Sequence, residues 1–582
     1  MSSYVSGKLV VCGLLYLIYL LIKYRDRGKF LAQEKSGRSF NRGNLSLMLH
    51  SHRYFQKERS LIHRVTWMAI AWPGEPDRYL NQKLKKLSNS ESFVRCVQQL
   101  PNMLKSRSRI LEASTMTSLK VGPGFSFTIP GNRVIDISKP EWLEYVQKTN
   151  VKNYAKGPLR KDIMLDVLGR GIFVVDDALW KRARHATVSI FTPSTFKTII
   201  SPSVNQSIDG LTQVLCSAGK ENRTVDICDL FFRFTLDSFI RMTFGKDLGI
   251  LGAEYGSHSD SSAPEFAKAF DVAQDQLDFR LAMVVGWELI ERLNVRSMGQ
   301  RMKESCRILD EFVYSLIDER LANLSQKSDF QDQDPSHPDL LSLFITTRDE
   351  RGGGLTRTEL RDTAMNLIIA GRDTTAQALS WAFFHLLMNK ELVSKIREET
   401  IEVLGGDQES VTYDNYKRFV WPQAVLHETL RLHPSVPKNA IVALSDDKIP
   451  GGPTIEAGNL IRWSDWQMGR DPSVWGADCG EFKPERWIDE AGSIRQFGQF
   501  KFHAFNGGPR VCVGINLAIF EAVKVMVEVL RDFELEFAEG WLENVPKSET
   551  IDGLTSQYQT PMYKSSITLP MENPMMIAVK RR

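Results

Sequence analysis

Hydrophobic and polar positions divide this chain into three regimes. Leu9 to Ile22 is apolar without a break, and the wider window Tyr4 to Ile22 is interrupted only by Lys8. At about 1.5 Å per residue that window spans roughly 28 Å, close to a bilayer core, so residues 1–24 predict a membrane anchor made of a single transmembrane helix. Residues 25–115 are polar and basic, apart from a short apolar stretch at Trp67–Trp72 stopped by Pro73, and predict a linker with early helices. Residues 116–582 carry the third regime. It opens with strand-like alternation at Phe125–Ile129 and Val134–Ile137 around a Gly131-Asn132 turn. After Pro140 helical periodicity runs to Leu432, broken by polar stretches at Gly252–Pro264 and Ser325–Pro338 that predict surface loops. Short strands return at Ile441–Ile461 and Leu554–Val579, and an apolar helical pattern covers Ile515–Leu530. The pattern predicts a mostly α domain with minor β and no internal repeat.

Charge and cysteine usage narrow the function. The 582 residues carry 74 Lys+Arg against 70 Asp+Glu, a net charge of +4 without a long basic tract, which gives no case for nucleic-acid binding. The seven cysteines are scattered, odd in number and form no CxxC pair, so neither a zinc site nor a secreted disulfide framework is expected. Lys23, Arg25, Arg27 and Lys29 follow the apolar run and place the rest of the chain in the cytosol. A cleaved signal peptide is the competing reading, disfavoured because no small-residue cleavage site follows. On this topology the sequons at Asn44, Asn205, Asn222 and Asn323 stay unmodified.

Two segments carry chemistry. Cys512 lies in Phe505-Asn506-Gly507-Gly508-Pro509-Arg510-Val511-Cys512-Val513-Gly514, directly before the Ile515–Leu530 helix. A thiolate ligating haem iron needs a shielding aromatic ring, N–H groups turned towards the sulfur, and glycines that let the chain approach the macrocycle. Phe505, the Gly507-Gly508 turn and Gly514 can supply these, and Arg510 can neutralise a propionate. A buried structural cysteine is the alternative for a lone cysteine. The second segment, Ala370-Gly371-Arg372-Asp373-Thr374-Thr375, sits in a helical run from Glu359 to Leu387. Ala370 and Thr374 share a face, and a Thr374 hydroxyl bonding back to the Ala370 carbonyl opens a groove that Gly371 is expected to widen. Asp373 beside it can relay protons to O2; a helix with one polar face is the bland alternative.

The cysteine segment resembles the signature of the cytochrome P450 family, and the helical segment resembles that family's oxygen-activation motif. The resemblance runs from about residue 120 to the end and implies the P450 fold, haem b with Cys512 as axial ligand of the iron, and Asp373 and Thr374 as the catalytic pair. Glu428 and Arg431, three apart in the Trp421–Leu432 helix, read on their own as a surface ion pair worth about 0–1 kcal/mol. The resemblance makes them, with Arg486 of Phe482-Lys483-Pro484-Glu485-Arg486-Trp487, a buried network behind the haem. It also brings Trp180 and Arg184 to the haem propionates, with His503 as a further candidate. Two departures stand out. Ile441 occupies a place where the family often has a propionate-binding Arg, for which Lys438 or Arg462 are possible substitutes; Asp177 stands where many members have Gly.

The resemblance implies a monooxygenase that inserts one oxygen of O2 into a C–H bond and reduces the other to water. Only 70 residues follow Cys512, too few for a fused flavin reductase. A separate NADPH–cytochrome P450 reductase is therefore implied, with cytochrome b5 as a second donor and Arg510 and Lys524 as candidate docking charges. The motif strings look like the fungal alkane and fatty-acid ω-hydroxylase branch, so the expected substrate is a long-chain fatty acid or alkane. Arg160 and Lys161 read as solvated charges near the channel mouth, with a substrate carboxylate as the alternative. A single-pass endoplasmic reticulum protein with a cytosolic catalytic domain follows. Competing readings are a hydroxylase of a secondary metabolite or xenobiotic, a haem-thiolate isomerase or dehydratase, and a non-enzymatic haem sensor or electron carrier.

Overall fold

The helical periodicity after Pro140 resolves into helices packed on one long buried rod. The computed structural model describes residues 109–582 except 130–131, 253–261, 284–286, 327–338, 349–351, 407–408 and 565. The expected anchor at 1–24, the Trp67–Trp72 stretch and Asn44 lie outside the described residues. Among the described residues no helix is long and apolar enough to cross a membrane. The helices that frame the site are α1 (Gly157–Leu168), α2 (Asp177–Ser189), α3 (Ile227–Phe244), α4 (Ser262–Met283), α5 (Arg357–Met388), α6 (Val420–Leu432) and α7 (Ile515–Asp532).

The rod is α5. Thr356 starts it with a capping box: its hydroxyl accepts the Glu359 N–H, while Glu359 Oε2 accepts the Thr356 N–H at 2.8 Å. From Leu360 to Leu386 every side chain is buried except those of Ile369, Ala370 and Thr374. A helix buried all round needs neighbours on every side, and α3, α6 and α7 pack against it. Phe231 of α3 meets Phe383 of α5 with ring centroids 4.9 Å apart. Further along the same contact, a Cβ on Gly371 would fall inside the Phe239 ring. Gly371 therefore admits α3 instead of widening the groove beside Thr374, the opposite of the sequence expectation.

The sheets are small, as expected. β1 (Gly124–Ile129) and β2 (Asn132–Ile137) form an antiparallel hairpin in which Asn132, assigned to the turn from sequence, already pairs with Ile129. With β3 (Tyr154–Ala155), β5 (Asn439–Ala443) and β8 (Leu460–Trp463) they build a five-stranded sheet in the order β1-β2-β8-β5-β3. β4 (Val225–Asp226), β10 (Met576–Arg581) and β9 (Phe533–Phe537) make a second sheet with β10 in the middle, and β6 (Asp447–Lys448) pairs with β7 (Thr454–Ile455). The main core lies among the helices; a separate cluster under the larger sheet includes Ile135, Trp142, Ile441, Ile461 and Trp463. The helix Ile110–Val121 spans the expected domain edge at 116. It is tied to the body by Tyr563, whose hydroxyl donates to Glu112 Oε2 at 2.6 Å.

Candidate active site

The loop before α7 holds Cys512 by its backbone. The Cys512 N–H donates to the Phe505 carbonyl at 2.8 Å, closing the turn. Gly508 takes φ +60°, and a Cβ there would stand 2.9 Å from the Gln147 carbonyl oxygen, so conformation and space both require glycine. Phe505 packs on Phe502 with centroids 6.1 Å apart. Arg184 of α2 donates to the Val511 carbonyl at 2.6 Å, and Arg510 lies over the Trp180 ring at 4.7 Å. Cys512 is exposed, yet burial by the surrounding protein pushes its thiol up, against the opposing effects of the Gly514 N–H and the Arg184 charge. A side chain that is both accessible and desolvated opens onto space enclosed by protein.

A second accessible surface lies on α5. Ile369, Ala370 and Thr374 are the exceptions in its buried stretch, and Ala370 and Thr374, four apart, share a face. Thr374 Oγ1 donates to the Ala370 carbonyl at 2.6 Å, the back-bond anticipated from sequence. The helix is not broken there. Instead, two hydroxyls from other elements reach the same turn: Thr235 of α3 donates to the Arg372 carbonyl and Ser435 to the Thr374 carbonyl, each at 2.8 Å. Asp373 points the other way and is fully buried. Its Oδ2 accepts the Gln274 amide of α4, while Oδ1 lies 3.7 Å from Arg372 Nη1 without a hydrogen-bond partner. Burial pushes this carboxyl up to about 6, against the lowering effects of Arg372 and Gln274.

The remaining predicted group forms a buried knot. Glu428 accepts two bonds from Arg431, Nε to Oε2 and Nη2 to Oε1, both at 2.7 Å and with neither side chain exposed. It also accepts Arg486 Nε and Trp487 Nε1 at 2.9 Å, and the Lys483 backbone N–H at 2.7 Å. The surface-pair reading is thus corrected: α6 is buried along this whole face. Burial raises the Glu428 carboxyl, but Arg431, Arg486 and the Lys483 N–H outweigh it and hold the group below its ordinary value.

Comparison with known proteins decides the family. A family model described as Cytochrome P450 matches residues 92–562. Cytochrome P450 monooxygenase cyp1 of Mycosarcoma maydis is 38% identical over 80% of this chain and 71% of its own length. The chain belongs to the cytochrome P450 family. Cytochrome P450 704C1 of Pinus taeda is 33% identical over 71% of this chain and 81% of its own. Alkane hydroxylase MAH1 of Arabidopsis thaliana is 28% identical over 76% and 86%. This P450 is therefore a haem-thiolate monooxygenase whose cofactor is iron protoporphyrin IX. Its residues fit the group. Cys512 offers an accessible thiol with an N–H and a guanidinium nearby, and Arg510 Nη1 is buried with no protein partner.

Several residues stand elsewhere than the sequence suggested. His503 commits both ring nitrogens to protein, Nδ1 to Asp465 at 2.7 Å and Nε2 to Gln147 at 2.8 Å, which leaves none for a propionate. Lys524 is no docking charge: its ammonium is buried on Glu528 Oε1 at 2.6 Å, Ser410 and the Val411 carbonyl. Arg510 faces inward and donates to Asp176 Oδ1 at 2.8 Å. Arg462 cannot stand in for the missing propionate arginine, because it is spent on Asp136, with Ser114 at 3.1 Å. Ile441 itself packs into the core under the sheet. Asp177 takes φ +53°, the conformation a glycine would favour, and the turn into α2 is made without one. Gly514 has φ −87°, which any residue can adopt. The sequence reading missed Trp487, Gln274, Thr235 and Ser435, which act across long chain separations. Of these only Trp487 carried a local signal, its place beside Arg486.

Proposed function

We propose that this P450 hydroxylates a long-chain fatty acid or alkane at or near its terminal carbon. The observation that carries the reaction is the open stripe on α5, where Thr374 stands beside Ala370 with the buried Asp373 behind it. Haem ligated by Cys512 supplies the activation of O2 with two electrons per turnover. Thr374 Oγ1, now bonded to the Ala370 carbonyl, would be the hydroxyl available to hold a proton on the open side of α5. Asp373, whose buried carboxyl is pushed up to about 6, would hold a proton below that pH and pass it towards Thr374. Trp180, Arg184 and Arg510, grouped beside the cysteine loop, would hold the haem edge.

The substrate class is supported by the likeness of three strings, residues 370–376, 484–487 and 505–512, to the alkane and fatty-acid hydroxylase branch, and by the name of the Arabidopsis relative. Electrons come from a separate NADPH–cytochrome P450 reductase. Residues 1–24 anchor the protein in the endoplasmic reticulum with the catalytic domain in the cytosol, where a lipid-soluble substrate enters from the bilayer. The test is product analysis from microsomes containing the protein, its reductase, NADPH and a long-chain fatty acid or alkane. Terminal or near-terminal hydroxylated products, lost in Thr374→Ala, are expected. An intact haem-thiolate spectrum with no oxidation of either class rejects the substrate assignment.

A further inference from the structure

Positive charge is in excess on one side of the cysteine loop. Asp176 is the acceptor there, and both its oxygens are in use: Oδ1 takes Arg510 Nη2 at 2.8 Å and Oδ2 takes the Lys156 backbone N–H at 3.0 Å. Three cations feel its charge or bond to it. Lys156 is buried, with its ammonium on the Ile172 and Val175 carbonyls. Arg160, from the first turns of α1, reaches β5 and donates to Asn439 Oδ1 and to the Ala440 carbonyl at 3.3 Å. Both of those bonds leave from Nη2. Arg510 contributes a buried Nη1 that no protein atom accepts.

We infer that Arg160, together with Lys156 and Arg510, forms a binding site for a carboxylate, and that this carboxylate is a haem propionate. A planar guanidinium matches a carboxylate bidentately, and buried cations require a counter-charge. Burial and mutual repulsion pull the Lys156 ammonium down to about 6, and burial brings Arg160 to about 10; one anion between them reverses both. Position selects the source. Arg510 is two residues from Cys512, which fixes the cluster at the edge of the haem. In the proposed reaction the far end of the substrate meets the iron, so a fatty-acid carboxylate lies a full chain length away. The site also accounts for Ile441. That strand position packs into the sheet core, and a cation reaches the strand beside it from α1.

The experiment compares full-length holoprotein with Arg160→Gln, Arg160→Lys and Asn439→Ala by the rate of haem transfer to an excess of apomyoglobin. KM for a fatty acid and for an alkane of equal length is read alongside. Loss of one charged hydrogen-bonding group predicts that Arg160→Gln releases haem about tenfold faster, with Arg160→Lys intermediate. Asn439→Ala keeps the guanidinium and is expected to release haem at the wild-type rate, with the KM ratio unchanged in all variants. Three results overturn the inference. One is wild-type haem retention in Arg160→Gln. Another is a fatty-acid KM that rises relative to the alkane while haem retention holds, which gives the site to the substrate. The last is equal haem loss in Asn439→Ala, which makes Arg160 a strut for β5. Should Arg160→Gln not accumulate, Arg160→Lys against Asn439→Ala decides alone. Haem transfer needs no turnover, so failure of the substrate assignment leaves this test standing.

Discussion

Glu428 and Asp373 are both carboxylates with no solvent exposure, and the fold treats them in opposite ways. Glu428 receives two bonds from Arg431 and one each from Arg486, Trp487 and the Lys483 N–H, and stays ionised below its ordinary range. Asp373 receives one amide, sees a guanidinium at 3.7 Å, and rises to about 6. Burial is common to both; the number of donors separates them. The saturated carboxylate is a fixed charge that ties α6 to the segment around Trp487. The starved one can change protonation near neutral pH, which a proton relay requires. Glu521 of α7 extends the series: one donor, Ser238 at 2.8 Å, and a carboxyl pushed up by burial to about 8.

The largest effect is expected at the saturated end. Glu428→Ala leaves Arg431 buried without its counter-charge, a loss of about 3–5 kcal/mol. Protein that accumulates is expected to contain little haem, read as haem per chain; normal haem content would show that the network is dispensable. Next comes Asp373→Asn, which keeps the shape and removes the titrating group. Hydroxylation is expected to fall about 100-fold with haem content unchanged. The sign with pH follows from the raised carboxyl: the protonated donor prevails below about 6, so the wild-type rate declines as pH rises through that value. The variant should lose this decline, and a variant that kept it would place the titrating group elsewhere. The smallest effect is at Glu521, where only stability is read. Its folded carboxyl titrates near 8 against 4.5 in the unfolded chain, so its contribution is fully present below 4.5 and is lost as pH rises through 8. Glu521→Gln removes that loss. Its stability advantage over wild type in denaturant should grow by about 2 kcal/mol between pH 5 and pH 6.5. A constant difference would mean that Glu521 is ionised in the folded protein.

Local periodicity made the framework legible. The Glu359–Leu387 helix is observed as Arg357–Met388, and Trp421–Leu432 as Val420–Leu432, because apolar spacing and the flanking prolines act over a few residues. Residue spacing also anticipated the Thr374 back-bond, which depends on nothing beyond one helical turn. What escaped was set by packing between distant segments. Gln274 meets Asp373 across 99 positions and Thr235 meets Arg372 across 137, and no pattern near either residue encodes the pairing. Lys524 was misplaced for a different reason: its charge suggested a surface, while Val523, Val525 and Glu528 around it already described a buried face with a built-in partner.

Phe239 filling the notch at Gly371 has a consequence for redesign of the pocket. That side of α5 is closed by an aromatic ring from α3, so enlarging residue 371 would wedge α3 away from α5 before it altered any cavity. Ile369 and Ala370 are less buried than their neighbours on α5. Ala370 also carries the carbonyl that accepts the Thr374 hydroxyl, so of the two, Ile369 is the position that can be changed without touching that bond.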